Sequence, residues 1–319
     1  MDKWAIAHIF EFLPSGGPGP DGITPEDLSK LDEDSLGALV DLFNEADNGR
    51  FPQFWTQARA TLIPKPDSTD RRPITILSVC YRLWAKRHSK ALTSWLASWC
   101  PPSVRGAMPG SGAADVVSEL NMRLDNASAG LAPTAFLLSL DQSQCFYRID
   151  LVNLLHIIDH LDLVMCYHVV DIYSRIIRHV FTDGQPSDVL IGDAGDYVSG
   201  IPQGCPFATF FYHLQGVVWL LSIQQHCADA KGTTYLDDWL VEAKSWQDVV
   251  QVWKITEKLM AAFGPFINVG KSCVATVTGS GPKPGKLPQD LANFNSVVSF
   301  KYLGVDVMCD RSRTARPTG

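Results

Sequence analysis

The sequence predicts an α+β protein, and three observations carry that prediction. Apolar residues recur at helical spacing over residues 79–99 and 246–263. Short apolar runs bounded by turn residues, such as TTYLDDWLV over 233–241, read as strands. The two kinds of segment are mixed without the regular strand–helix–strand rhythm of a doubly wound sheet. With 46% hydrophobic and 19% charged residues among 319, the chain can bury a sizeable core as one large or two ordinary domains.

Taken in order, PSGGPGPDGITP (14–25) is too rich in Gly and Pro to be anything but a loop. A helix follows from Pro25 to about Gly49. Residues 59–66 read as a strand ending in PKP, DSTDRR as a loop, and PITILS as a second strand. One helix covers 79–99, a Pro/Gly loop covers 101–112, and a helix starts at Ser111 or Gly112. PTAFLLSLDQ is a buried strand ending at Asp141. Residues 150–181 read as two helices and DVLIGDAGDYVSGIPQG as a hairpin. A helix over 206–228 precedes the TTYLDDWLVEA hairpin, and an amphipathic helix runs from Trp246 to Phe263. Short strands near 266–277 and 297–308 close the chain.

Net charge is −7, which argues against general nucleic-acid binding, but the charge is uneven. Residues 21–47 carry nine acids and one base; residues 59–90 carry eight bases and two acids. Polyanion contacts are therefore expected at 59–90, unless that charge only solvates a helix face. The eight cysteines include no CxxC pair and no zinc spacing, and read as reduced core residues. The N-terminus lacks the features of a signal peptide, and the apolar stretch FATFFYHLQGVVWLLSI is broken by His213 and Gln215. An intracellular protein of nucleus or cytoplasm, neither secreted nor bound to membrane, is expected.

Asp237 and Asp238 sit side by side in an apolar hairpin. Burying carboxylates is costly unless they are paired or hold a metal. An isolated Asp-Asp is compatible with an ordinary turn. A turn alone does not account for the flanking Tyr235, Leu236, Trp239 and Leu240, whereas a hard divalent cation at the tip does. Asp141, ending its own apolar strand, is the natural further carboxylate, with a helix N-cap as its alternative role. Together such carboxylates can bridge two Mg²⁺ ions roughly 3.5–4 Å apart, the arrangement that serves phosphoryl transfer. Between them, SGIPQGCPFATFF places Gly200 and Gly204 around a Pro-Gln turn, where a backbone can approach a flat base or sugar.

In this order the segments resemble the reverse transcriptases of non-LTR retrotransposons and, more distantly, of group II introns. GPGPDGI, ATLIPKPDSTDRRPITILSVCYRLWAKRHSKAL, RGAMPGSGAADVV, SLDQSQCF, GIPQGCPFA, YLDD, INVGKS and FKYLG are each similar to a family motif, and they span nearly the whole chain. The resemblance implies a right-hand polymerase with fingers over 1–133 and a palm over 134–310. The palm would have an antiparallel sheet packed on helices and a helical insertion at 150–197. Residues 311–319 would begin a further C-terminal region, the thumb being absent or truncated.

The implied activity is RNA-directed DNA polymerisation, with Mg²⁺ or Mn²⁺ as cofactor. The implied partners are an RNA template, a DNA or RNA primer, deoxynucleotides and the parent protein's other domains. By resemblance Asp141, Asp237 and Asp238 hold metal. Lys65 and Arg72 clamp the triphosphate, and Gln203 and Gly204 touch nucleotide and template. Lys271 protonates pyrophosphate, and Phe300, Lys301, Tyr302, Leu303 and Gly304 hold the primer end. Phe146 stands where the family places an aromatic under the sugar; a ring there clashes with a 2′-OH, whereas RNA-making relatives have a small or polar residue. Tyr147 departs from the family, which continues with an acid. Two other readings stay open: a non-catalytic nucleic-acid-binding remnant, and an RNA-dependent RNA polymerase, which Phe146 and FKYLG disfavour.

Overall fold

The structure, a computed structural model, describes residues 3–65, 71–192, 199–277 and 287–310. In chain order the helices and strands begin with α1 (Ile6–Glu11), α2 (Pro25–Ser29), α3 (Glu33–Asp47), β1 (Gln57–Pro64) and β2 (Arg71–Leu77). There follow α4 (Val79–Ala97), β3 (Val104–Arg105), α5 (Ala113–Ser128), β4 (Phe136–Ser143), α6 (Leu151–His160) and α7 (Val164–Ser174). Next come β5 (Ile177–Thr182), β6 (Gln185–Ile191), α8 (Ala208–His226), β7 (Ala230–Tyr235), β8 (Asp238–Ala243) and α9 (Trp246–Phe263). The chain closes with β9 (Phe266–Ile267), β10 (Cys273–Thr276), β11 (Asn295–Val297), β12 (Ser299–Tyr302) and β13 (Val305–Met308). The mixed α+β class is as predicted.

Three local expectations change. The helix expected from Pro25 to Gly49 is broken, because Thr24 caps α2 and Asp32 starts α3 by accepting from the Ser35 N–H. Arg71 and Arg72 lie in β2 and not in a loop, since the β1 ladder extends to Pro64 opposite Arg71. The second helix expected within 150–181 stops at Ser174. IRHVFT then forms β5, which pairs in parallel with β1 and antiparallel with β6. Its branched and aromatic residues suit that pleated surface. The hairpin expected at 188–204 therefore lies earlier, at 177–191, and part of the expected span falls outside the described residues.

The chain divides into two compact units, each built from two separated segments. One unit comprises residues 1–94 and 146–211 and holds the sheet β2-β1-β5-β6. Its core is aromatic: Trp55 packs edge-on to Tyr81 and tilted against Trp84, which also meets Phe207.

The other unit, residues 95–145 and 212–319, holds the sheet β11-β10-β4-β8-β7-β3, with β9 paired to the end of β4. The sheet is antiparallel through its centre and parallel at both rims, where β10 meets β11 and β3 meets β7. One face is covered by α5, whose Val116, Val117, Leu120 and Leu124 pack with Leu137, Leu240 and Tyr302. The β12–β13 hairpin completes this layer. No described helix is long and apolar enough to cross a membrane, and none of the eight cysteines is in a disulfide.

Candidate active site at the carboxylate hairpin

In the ladder between β4 and β8, Asp141 lies directly opposite Asp238, Ser139 opposite Leu240 and Leu137 opposite Glu242. Directly opposed residues of an antiparallel pair share a face. Both aspartates therefore stand at one end of a row whose Leu137 and Leu240 are buried beneath α5. Asp141 is a strand residue with β4 continuing to Ser143, so it caps no helix.

The β7–β8 turn consists of Leu236 and Asp237, between the paired Tyr235 and Asp238. Leu236 adopts φ +50°, a region that costs a branched L-residue on the order of 1 kcal/mol. The turn is pinned by Trp239, whose indole N–H donates to the Leu236 carbonyl at 2.8 Å. Trp239 is buried against Trp219, their rings 4.4 Å apart. The strained tip thus leaves Asp237 exposed beside the half-buried Asp238.

Burial first, then the charges of Asp237 and Asp141, push the Asp238 carboxyl up to about 6. Glu242, on the same face of the same strand, is met by Arg123 at 2.9 Å. The donor set at Asp238 suits a hard divalent cation: carboxylates only, crowded enough to repel one another. Among the described residues no three His, Cys, Asp or Glu side chains already stand closed around one point. Mg²⁺ commonly takes one or two carboxylates and completes its shell with water and substrate phosphates. A cleft of about 700 Å³ in this unit lies around Arg123 and Glu242, at the far end of β8 from the aspartates.

A tight turn at 268–272 is strapped to Asp141. The Asp141 N–H donates to Ser272 Oγ at 3.0 Å, and the Asn268 N–H donates to the Asp141 carbonyl at 2.8 Å. Ser272 Oγ donates in turn to the Asn268 carbonyl at 2.9 Å. This turn carries the exposed Lys271 beside β4. Asn268 and Ser272 were not singled out from the sequence, although both lie within the quoted INVGKS.

In the β12–β13 hairpin, Phe300 and Tyr302 point into the core while Lys301 and Gly304 are exposed. Leu303 and Gly304 both take positive φ, as a tight two-residue hairpin turn requires. Tyr302 is 2% exposed, and its hydroxyl is pushed up by burial and then by Asp238. Asp141, Asp237, Asp238, Lys271 and residues 300–304 thus belong to one unit.

The remaining expected residues belong to the other unit. Arg72, exposed, lies opposite Ile63, and Lys65 directly follows β1, so both sit at the same end of the β1–β2 ladder. Neighbouring Arg71 is engaged by Asp183 at 2.9 Å. Phe146 opens a short 3₁₀ turn, and its carbonyl accepts from the Ile201 N–H at 2.7 Å. The Gln203 carbonyl accepts from the Thr75 N–H at 2.8 Å. Gly204, at φ +115°, lies so close to β2 that a Cβ would come within 2.6 Å of the Thr75 carbonyl oxygen.

The pattern of the reverse transcriptase (RNA-dependent DNA polymerase) family matches residues 63–307. The chain belongs to the reverse transcriptase family. A curated relative is the Transposon TX1 uncharacterized 149 kDa protein of Xenopus laevis, 26% identical over 332 aligned residues. The alignment covers 94% of this reverse transcriptase chain and 24% of that protein, so the chain spans about a quarter of the relative's length. Solved structures of the same fold include the apo telomerase of Candida tropicalis truncated from its C-terminal domain. It gives a TM-score of 0.55 at 14% identity, over 84% of this chain and 57% of that one. The telomerase of Candida albicans with a fragment of telomeric RNA gives 0.56 at 14% identity, over 84% of this chain and 47% of that one.

Proposed function

We propose that this reverse transcriptase chain extends a primer 3′-OH with deoxynucleotides, copying an RNA template. The observation that carries the reading is the register placing Asp141 opposite Asp238, with Asp237 at the adjoining tip. Asp141, Asp237 and Asp238 would hold two Mg²⁺ ions, or Mn²⁺ in their place, which when bound supply charge that activates the primer hydroxyl and steadies the leaving pyrophosphate.

The chain's own residues position the reactants. Lys65 and Arg72 bind the triphosphate of the incoming nucleotide, the guanidinium fork suiting phosphate oxygens. Phe146 packs under the sugar and excludes a 2′-OH. Gln203 and Gly204 present backbone and amide to the nucleotide and template. Lys271 gives a proton to the departing pyrophosphate. Residues 300–304 support the primer end, which is a DNA or RNA strand. Other domains of a longer parent protein complete the grip on the duplex, in the nucleus or cytoplasm.

The test is primer extension on an RNA template with Mg²⁺ and deoxynucleotides, comparing the parent with the Asp237→Ala, Asp238→Ala double variant. Product from the parent alone is expected. Folded parent protein that binds primer-template without extending it would overturn the reading in favour of a binding remnant. A preference for ribonucleotides would overturn it in favour of an RNA polymerase.

A further inference from the structure

Tyr147 occupies the position where the family continues with an acid, and its hydroxyl closes a ring of contacts within one unit. The hydroxyl donates to the Pro73 carbonyl at 2.7 Å and lies 3.0 Å from Thr75 Oγ1. Thr75, 1% exposed, donates its backbone N–H to the Gln203 carbonyl. The segment before Gln203 returns to Tyr147 itself. At Gly200, φ +85°, an added Cβ would fall on the Tyr147 carbonyl, and the next residue, Ile201, bonds the carbonyl of Phe146. The guanidinium of Arg178, a residue 5% exposed, lies 5.7 Å from the centroid of the Tyr147 ring, at cation–π distance. The ring of contacts therefore joins β2, the turn at Phe146 and the Gly200–Gly204 segment through one phenol.

The chemistry of that link needs a donor. Pro73 offers only a carbonyl oxygen, and an ionised Asp or Glu could only face it with another acceptor. The phenol also reaches across to Thr75, which a short carboxylate would leave buried without this partner. Tyr147 is thus a substitution by function as well as by shape.

We propose that Tyr147 is a positioning residue for sugar discrimination, holding Phe146 and Gln203 in register with each other through Pro73 and Thr75. The inference rests on the polymerase reading above. Tyr147 itself meets no substrate; it fixes the backbone that carries the ring beneath the sugar, where small misplacements are expensive.

The experiment measures kcat/KM for a deoxynucleotide and its ribonucleotide counterpart on one primer–RNA template, for the parent, Tyr147→Phe, Thr75→Val and Thr75→Ser. Tyr147→Phe and Thr75→Val are expected to lower discrimination by about tenfold, chiefly through better use of the ribonucleotide, while deoxynucleotide extension continues. Thr75→Ser, which keeps the hydroxyl, is expected to retain it. If both rates fall by the same factor in the variants, the hydroxyl serves stability alone and the inference is overturned. If Tyr147→Phe does not fold, the contrast between Thr75→Val and Thr75→Ser decides in the same way. A folded parent that extends neither nucleotide overturns the polymerase reading, and this inference with it.

Discussion

Asp238 and Glu242 stand on the same face of β8, four residues apart, and meet opposite surroundings. Glu242, 4% exposed, is neutralised by Arg123, whereas Asp238 faces the carboxylates of Asp237 and Asp141. The fold thus supplies a cation to one acid and crowds its neighbour with two more anions, which is why burial and repulsion raise the Asp238 carboxyl.

Asp238→Asn is therefore expected to separate stability from activity. Removing one crowded charge should stabilise the Mg²⁺-free chain by about 1 kcal/mol at neutral pH. Extension should fall by at least about a hundredfold. Primer extension checks the second, and thermal unfolding with and without Mg²⁺ checks the first: the parent's Tm should rise with Mg²⁺ and the variant's should not. A variant less stable than the parent without Mg²⁺ would contradict the crowding argument.

Leu236 at φ +50° predicts a similar split. Asn tolerates this backbone region better than Leu. Leu236→Asn should leave stability unchanged or raise it by up to about 1 kcal/mol, while extension falls because the tip is chosen for its chemistry and not for its ease. Chemical denaturation and primer extension on the same preparation give both quantities. A clear loss of stability would show that the Leu236 side chain packs well enough to outweigh the strain.

Ser272→Ala removes the acceptor of the Asp141 N–H and the donor to the Asn268 carbonyl. A buried donor left unmet costs about 1–3 kcal/mol. Because the 268–272 turn carries Lys271 and abuts Asp141, kcat should fall more than KM for the nucleotide changes. An effect confined to KM would place the turn's influence on binding instead.

His213 sets a pH dependence. It is buried, which pushes its imidazole down to about 4, although the Gly106 backbone favours the charged form. Above the unfolded value of roughly 6.5 both states are neutral and nothing is lost. As pH falls from there towards 4, the unfolded chain takes up a proton that the folded chain refuses. Stability should drop by up to about 3 kcal/mol across that window. Asp238, shifted upward, acts in the opposite direction over part of the same range. The informative quantity is thus the parent's urea midpoint minus that of His213→Gln, at pH 7.5 and pH 5. An unchanged difference would mean that His213 is solvated.

What the sequence by itself determined is local. The apolar stripe of α9, the strand–turn–strand of the carboxylate hairpin and the run of β4 up to its aspartate all follow from residues near one another in the chain, whereas the turn itself falls on Leu236-Asp237 and not on the Asp-Asp pair. The motif order was legible for the same reason. The tertiary structure decided what depends on distant partners. Ile177–Thr182 became a strand because β1 offered a parallel edge, a contact across more than a hundred residues that no local period encodes. The register setting Asp141 against Asp238, the Ser272 strap and the Tyr147 hydroxyl's hold on β2 are likewise long-range. Each is selected by which buried donors, acceptors and apolar faces remain to be satisfied once the neighbouring elements are in place.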